Sequence, residues 1–141
     1  MAIILKIEGA ENILLGEHSI QTCRFLTETP DDCNARSTDV VNTILITGKI
    51  LTAIGGLEAD DTRKLATWSL VRAESADSYR KVSVMMVYAN QVVRKIDMPN
   101  AFVVDYQERY GDTEGVGEFI LKVRQKKDMF EKTTIEGGYG V

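Results

Sequence analysis

At 141 residues the chain is the size of one ordinary domain, and a fold of that length buries roughly 68–70% of the surface its unfolded chain exposes, so no metal or disulfide staple is required. A hydrophobic fraction of 44% against a charged fraction of 27% separates it from disordered and fibrous chains. Its 17 Lys and Arg against 21 Asp and Glu leave a net charge of -4, with no global positive field for a polyphosphate backbone, which argues against nucleic acid as the main partner.

The opening "MAIILKIEGAENILLG" is apolar only from Ala2 to Leu5 and then meets Lys6 and Glu8. That is too soon for a signal-peptide core or a membrane span, so a protein made and kept in the cytosol, without membrane insertion, is expected unless specialised machinery exports it. Alternation of apolar and polar residues predicts a strand over 3–7 and a second over 13–26. The second contains His18, the single histidine, and Cys23. Cys33 follows ten residues later, a spacing that gives neither a C-x-x-C pair nor a four-ligand zinc set. Two free thiols are expected, since a disulfide would need an oxidising compartment that nothing else suggests.

Residues 27–42, "TETPDDCNARSTDVVN", are polar and fit neither a strand nor a helix. The segment is long for a hairpin, and loops of this length in compact domains are usually functional or flexible. A strand over 43–51 follows. The segment "EADDTRKLATWSLVRA" then breaks the period: Asp60 or Asp61 suits an N-cap, and Leu65, Trp68 and Val71 share a helical face. Leu65 and Trp68 are read as packing anchors of one helix covering the open end or flank of a barrel.

Strands over 79–89 and 91–98 meet at Ala89-Asn90, where asparagine tolerates a left-handed backbone. Pro99-Asn100 punctuates the passage to strands over 101–110 and 118–127. In the last of these Phe119, Leu121 and Val123 fall on one face and Glu118, Lys122, Arg124 and Lys126 on the other, with Ile120 the exception. The tail over 131–141 is glycine-rich after Ile135, and is expected to be mobile or to dock only on a partner. The fold class is therefore mainly β, an antiparallel β-barrel or sandwich with one flanking α-helix, as a single domain over 1–141.

Four chemical readings meet this frame. Gly111, Gly115 and Gly117 lie among Asp112 and Glu114, and a strand follows where a phosphate-binding loop needs a helix N-terminus, so they read as a hairpin turn with glycine permitting positive φ. A dyad of Cys23 and His18 would require residues five apart on one strand to meet, although they point to opposite faces. The carboxylate pairs Asp31/Asp32, Asp60/Asp61 with Glu58, and Asp112/Glu114 all sit in turns or at a helix start. The run "KVRQKKDMFEK" is broken by acids and reads as the wet face of a strand. The sequence offers no catalytic constellation, no cofactor site and no metal site, and the chain is read as a non-enzyme.

The early strand, the polar loop "TETPDDCNARSTD", the strand "TILITGKI", the helix "RKLATWSLV" and the run "RKIDMPNAFVVDYQERYGDTEGVGEFILKVRQKK" together resemble the tube proteins of contractile injection systems. These are the hemolysin-coregulated protein family of type VI secretion and its phage tail-tube relatives. The resemblance covers about 14–127, with Leu65 and Trp68 at the family's Leu-x-x-Trp-like core pair. It implies a β-barrel with one flanking helix that associates with copies of itself into hexameric rings, the rings stacking into a hollow tube. Sheath and baseplate or spike proteins would be the other partners, with effector cargo in the lumen and export within an injection particle. By the same analogy the helix would lie on the outer wall and the loop over 27–42 would reach the neighbouring subunit or ring. Pro30 would stiffen its exit, and Asp31, Asp32, Arg36 and Asp39 would set register and partner choice. The opening "IEGAENILLG" is closer to a tail-tube style than to type VI members, and the type of system stays open. The alternative is a small-ligand-binding β-barrel with Tyr79, Tyr88, Tyr106 and Tyr110 in its wall.

Overall fold

The computed structural model describes residues 1–28, 41–50, 61–72, 74–112, 116–126 and 133–140. Seven strands run in the order β1 (Ala2–Glu8), β2 (Ile13–Leu15), β3 (Ile20–Glu28), β4 (Val41–Ile50), β5 (Arg80–Tyr88), β6 (Gln91–Arg109) and β7 (Gly117–Gln125). A helix, α1 (Thr62–Ser69), precedes β5, and two short strands, β8 (Thr134–Glu136) and β9 (Tyr139–Gly140), close the chain. The sheet is antiparallel, in the order β2-β1-β5-β6-β7-β4-β3, and does not close on itself. Mainly β architecture with one helix is thus as expected, in its sandwich form.

β6 makes the sandwich. Its first half pairs with β5 as far as Ala101 opposite Arg80, and its second half pairs with β7 from Ala101 opposite Gln125. One 19-residue strand therefore belongs to both layers. Sequence alone suggested two strands separated by Pro99-Asn100; instead the chain continues through a register shift against β5 between Arg80 and Val82. A proline is tolerated there because a bulge leaves a residue outside the ladder, where a missing N–H costs nothing. The reverse error occurred over 13–26, which splits into β2 and β3 around a turn where the Ser19 and Ile20 N–H groups both donate to the Gly16 carbonyl.

Period-two alternation sends Leu5 and Ile7, Ile44 and Ile46, Val82 and Val84, Ile96 and Met98, and Phe119, Leu121 and Val123 into one buried cluster. Ile120, the outlier in the pattern, lies on the wet face of β7. The β5–β6 connection is the tight turn expected: Ala89 and Asn90 have φ of 52° and 59°, the left-handed pair of a type I′ hairpin.

Leu65 and Trp68 are buried, and the Trp68 indole N–H donates to the Ser78 carbonyl at 3.2 Å, so both are packing anchors as read. Asp61 is the N-cap residue, but its side chain makes no cap bond. Its Oδ2 instead accepts the Leu14 N–H at 2.9 Å, and its Oδ1 lies 3.2 Å from Lys64 Nζ, which also donates to the Asn12 carbonyl. The acid ties the helix to β2 rather than capping it.

Candidate assembly surfaces

Among the described residues, those weighed for chemistry do not converge; Cys33, Glu58 and Asp60 lie outside the described residues. His18 lies in the turn before β3, not within a strand, with its side chain 89% exposed and 4.0 Å from the Glu17 carboxylate. Cys23 is half-buried against the core, and burial pushes its thiol up to about 11, so it is protonated at neutral pH and a poor nucleophile. Among the described residues no group of His, Cys, Asp or Glu could hold a metal ion. Nor do the four tyrosines wall a common space. Tyr88 and Tyr110 are exposed, Tyr79 packs edge-on against Phe102, and Tyr106 stacks on Phe119.

The glycine cluster joins β6 to β7, which pair from Arg109 opposite Glu118, so the hairpin reading holds. At Gly117 the reason differs from the one expected: its φ is not positive, and a Cβ there would meet the Tyr110 ring at 2.6 Å. Close approach, not backbone hand, explains Gly117. Gly115 and Glu114 lie outside the described residues.

Pro30, Asp31, Asp32, Arg36 and Asp39, predicted to form an interface, also lie outside the described residues. The stem that presents them is ordered further than expected. Thr27 pairs with Asn42 and Glu28 with Val41, so four residues assigned to the loop extend the β3–β4 hairpin. The face of this layer opposite Ile44 and Leu121 carries Arg24, Lys122 and Arg124 in cross-strand rows with Leu45, Asp105 and the buried Thr43. Among the described residues β3, nine residues long, pairs with β4 alone.

At the corner where β6 changes partner, Arg80 is buried and makes a double contact with Asp77. Its Nη2 donates to Oδ2 at 2.7 Å and its Nε to Oδ1 at 3.2 Å. The guanidinium also lies over the Trp68 ring, 5.3 Å from its centroid. Asp77 Oδ1 in turn accepts the Ala10 N–H at 3.3 Å. The hydrogen bond from Arg80, helped by the one from Ala10, holds the Asp77 carboxyl below its ordinary range. Gly9 lets the β1–β2 turn approach, since a Cβ there would meet Arg80 Cγ and Cδ at 2.8 Å. This pair was not legible as a spacing, because an i,i+3 Asp and Arg also describes a solvated turn.

The tail is the largest correction. Expected to be mobile or to dock only on a partner, it pairs with its own chain: Thr134, Ile135 and Glu136 face Asp97, Ile96 and Lys95, and Tyr139 and Gly140 face Val92 and Gln91. The physical reason is the free edge left by β6 once β7 has ended. Gly137 and Gly138 permit the fit. A Cβ on Gly137 would strike the Val93 carbonyl oxygen at 2.3 Å, and Gly138 has φ of 83°. Beside the tail an apolar groove of about 380 Å³ is lined by Met1, Phe25, Met86, Val93, Ile96 and Ile135.

No family model matches the chain, and no curated protein matches it in sequence. Solved structures match it in fold along almost all its length. Hcp1 from Flavobacterium johnsoniae superposes with a TM-score of 0.54 at 15% identity, covering 97% of this chain and 96% of that one. The 6-fold symmetrised baseplate of the anti-feeding prophage contains a chain similar at a TM-score of 0.54 and 11% identity, over 96% and 92%. The extended sheath-tube complex of PVC, an extracellular contractile injection system, contains another at 0.55 and 9%, over 96% and 88%. The resemblance read from the sequence therefore holds at the level of fold. Among the described residues no helix is long and apolar enough to cross a membrane.

Proposed function

We propose that this chain is a structural, non-catalytic subunit of the inner tube of a contractile injection system, assembling into hexameric rings that stack into a hollow tube. The observation that carries the reading is the fold likeness to Hcp1 and to chains of injection-particle assemblies, which takes in nearly the whole of both partners rather than a shared fragment. Its partners would be copies of itself, sheath and baseplate or spike proteins, and cargo in the lumen. Assembly would be cytoplasmic, with export in the particle. A ring is a heterologous, closing assembly and needs two unlike patches on each subunit. The β3–β4 hairpin stem and the apolar groove beside the tail, which Phe25 of β3 also borders, would supply those patches.

A ligand-binding barrel is the weaker reading, because Trp68, Phe119 and Leu121 fill the space between the layers and the tyrosines do not converge. Light scattering on the purified protein, with negative-stain microscopy of the heaviest fraction, separates the two. Six-membered rings or stacked tubes are expected; a strictly monomeric protein at high concentration that is stabilised saturably by a small molecule would overturn the proposal. Deleting residues 30–39 should leave a folded protomer and abolish stacking, and tubes that persist would remove Pro30, Asp31, Asp32, Arg36 and Asp39 from the interface.

A further inference from the structure

The last described segment is placed oddly for a strand that serves only its own chain. β7 and the tail run in the same direction along the same edge of β6. The Lys126 N–H still donates to the Asn100 carbonyl at 2.8 Å, and pairing resumes with Thr134 opposite Asp97. Between these points β6 has two residues, 98 and 99, while the chain from Lys126 to Thr134 has seven, 127–133. A strand meant only to continue β7 would need no such surplus. Seven residues reach at most about 24 Å, against a radius of gyration of about 14 Å for a globule of this length.

The tail is also held lightly. Every residue of β8 and β9 is exposed, Ile135 included at 51%, so no side chain anchors the segment in the core. What holds it is edge pairing, the Gly138 N–H to the Val92 carbonyl at 2.8 Å, and a long contact from Thr134 Oγ1 to Asp97 Oδ2. Segments without buried apolar contacts open at low free-energy cost. Under it lie a sheet edge and an apolar groove that Ile135 borders without filling.

We propose that the β8–β9 tail is exchanged between copies of this chain: in the assembly each tail leaves its own β6 and pairs with the edge at residues 91–97 of the next copy. The occupant is fixed by the structure, since the seat already accepts this sequence in register, and the same contacts form in cis or in trans. Between subunits held side by side, the effective concentration of a tethered neighbour's tail makes the exchange intramolecular in character. Passed from each subunit to the next, the tails would tie a ring into one hydrogen-bonded circuit. The inference rests on the ring reading, but its test does not.

The test places Lys95→Cys and Glu136→Cys, opposite one another across the β6–β8 ladder, in a chain also carrying Cys23→Ala and Cys33→Ala. After assembly and oxidation, non-reducing electrophoresis should show a covalent ladder reaching six chains. Co-assembly of a Lys95→Cys chain with a size-tagged Glu136→Cys chain should give one mixed disulfide dimer. Rings that yield only internally linked monomers overturn the exchange and leave the ring reading intact. A ladder or mixed dimer from protein that forms no rings supports the exchange and overturns the ring reading. Monomers alone, with no rings, overturn both.

Discussion

Replacing Asp77 with asparagine should destabilise the protomer well beyond an ordinary surface substitution. The Arg80 side chain is 3% exposed and that of Asp77 31%, so the acid is the counter-ion of a buried guanidinium while itself in partial contact with water. Arg80 Nη1 has no hydrogen-bond partner among the described residues, which increases its dependence on Asp77. Removing one member of a wholly buried pair costs about 3–5 kcal/mol, and the exposed side of Asp77 reduces that to about 2 kcal/mol. With an unfolding entropy of about 2.1 cal/mol/K per residue, the midpoint should fall by about 7 °C. The pH dependence follows from the lowered carboxyl of Asp77. A carboxylate whose folded pKa is depressed stabilises fully above its unfolded value of about 3.9 and loses that contribution as pH falls through the lower, folded value. The gap between the wild-type protein and Asp77→Asn should therefore be largest near neutrality and shrink below about pH 4. Thermal unfolding followed by circular dichroism across that range measures both. A difference under about 0.5 kcal/mol at pH 7, or one unchanged in strong acid, would refute the view that this pair holds the corner together.

Two glycines that both approach aromatic rings should respond differently to alanine. At Gly48 a Cβ would meet the Ser19 carbonyl oxygen at 2.4 Å and the buried Phe119 ring at 2.7 Å, neither of which can yield, and a loss of about 2–3 kcal/mol in denaturant titration is expected. At Gly117 the obstacle is the exposed Tyr110 ring at 2.6 Å, which can swing away, and Gly117→Ala should cost under about 1 kcal/mol; equal losses would contradict the reasoning. Cys23, with its thiol raised by burial from 9.0 to about 11, should alkylate at neutral pH about 100-fold more slowly in the folded chain than in urea. Peptide mapping by mass spectrometry reads this directly, and a native rate equal to the unfolded one would show that Cys23 is not held in the core.

Much of the fold was legible because its strands have one buried face. β7 announces itself through Phe119, Leu121 and Val123, and α1 through Leu65 and Trp68, since period and burial coincide there. The errors fall where a strand meets something that period cannot encode. Pro99 reads as punctuation, yet a bulge absorbs it and β6 continues. The run from Ile13 to Leu26 reads as one strand, yet Gly16, Glu17, His18 and Ser19 interrupt its apolar residues and the backbone turns there. Residues 134–140 carry no hydrophobic stripe, so nothing in their own pattern reports that the β6 edge is waiting for them. The candidate surfaces were legible only in part for the same reason. An interface between copies is specified by edges and shape rather than by reactive side chains, and these leave no spacing to recognise.

The distribution of edges bears on whether the chain is complete as a monomer. Unpaired strand edges template further pairing, and monomeric β proteins blunt them with short strands, bulges, charge or a covering segment. At one end of this sheet β2 is only three residues long and carries little of that hazard. At the other end, among the described residues, β3 has nine residues paired with β4 alone, broken by one irregularity near Ile20 and bearing Arg24 and Glu28 as its charges. The remaining edge, along the first half of β6, is covered by a tail that buries none of its own side chains. A cover so weakly held suits a surface that is to be opened, and a long hairpin edge suits one that is to be completed. Both fit the proposed ring subunit, whose sheet would be finished by its neighbours.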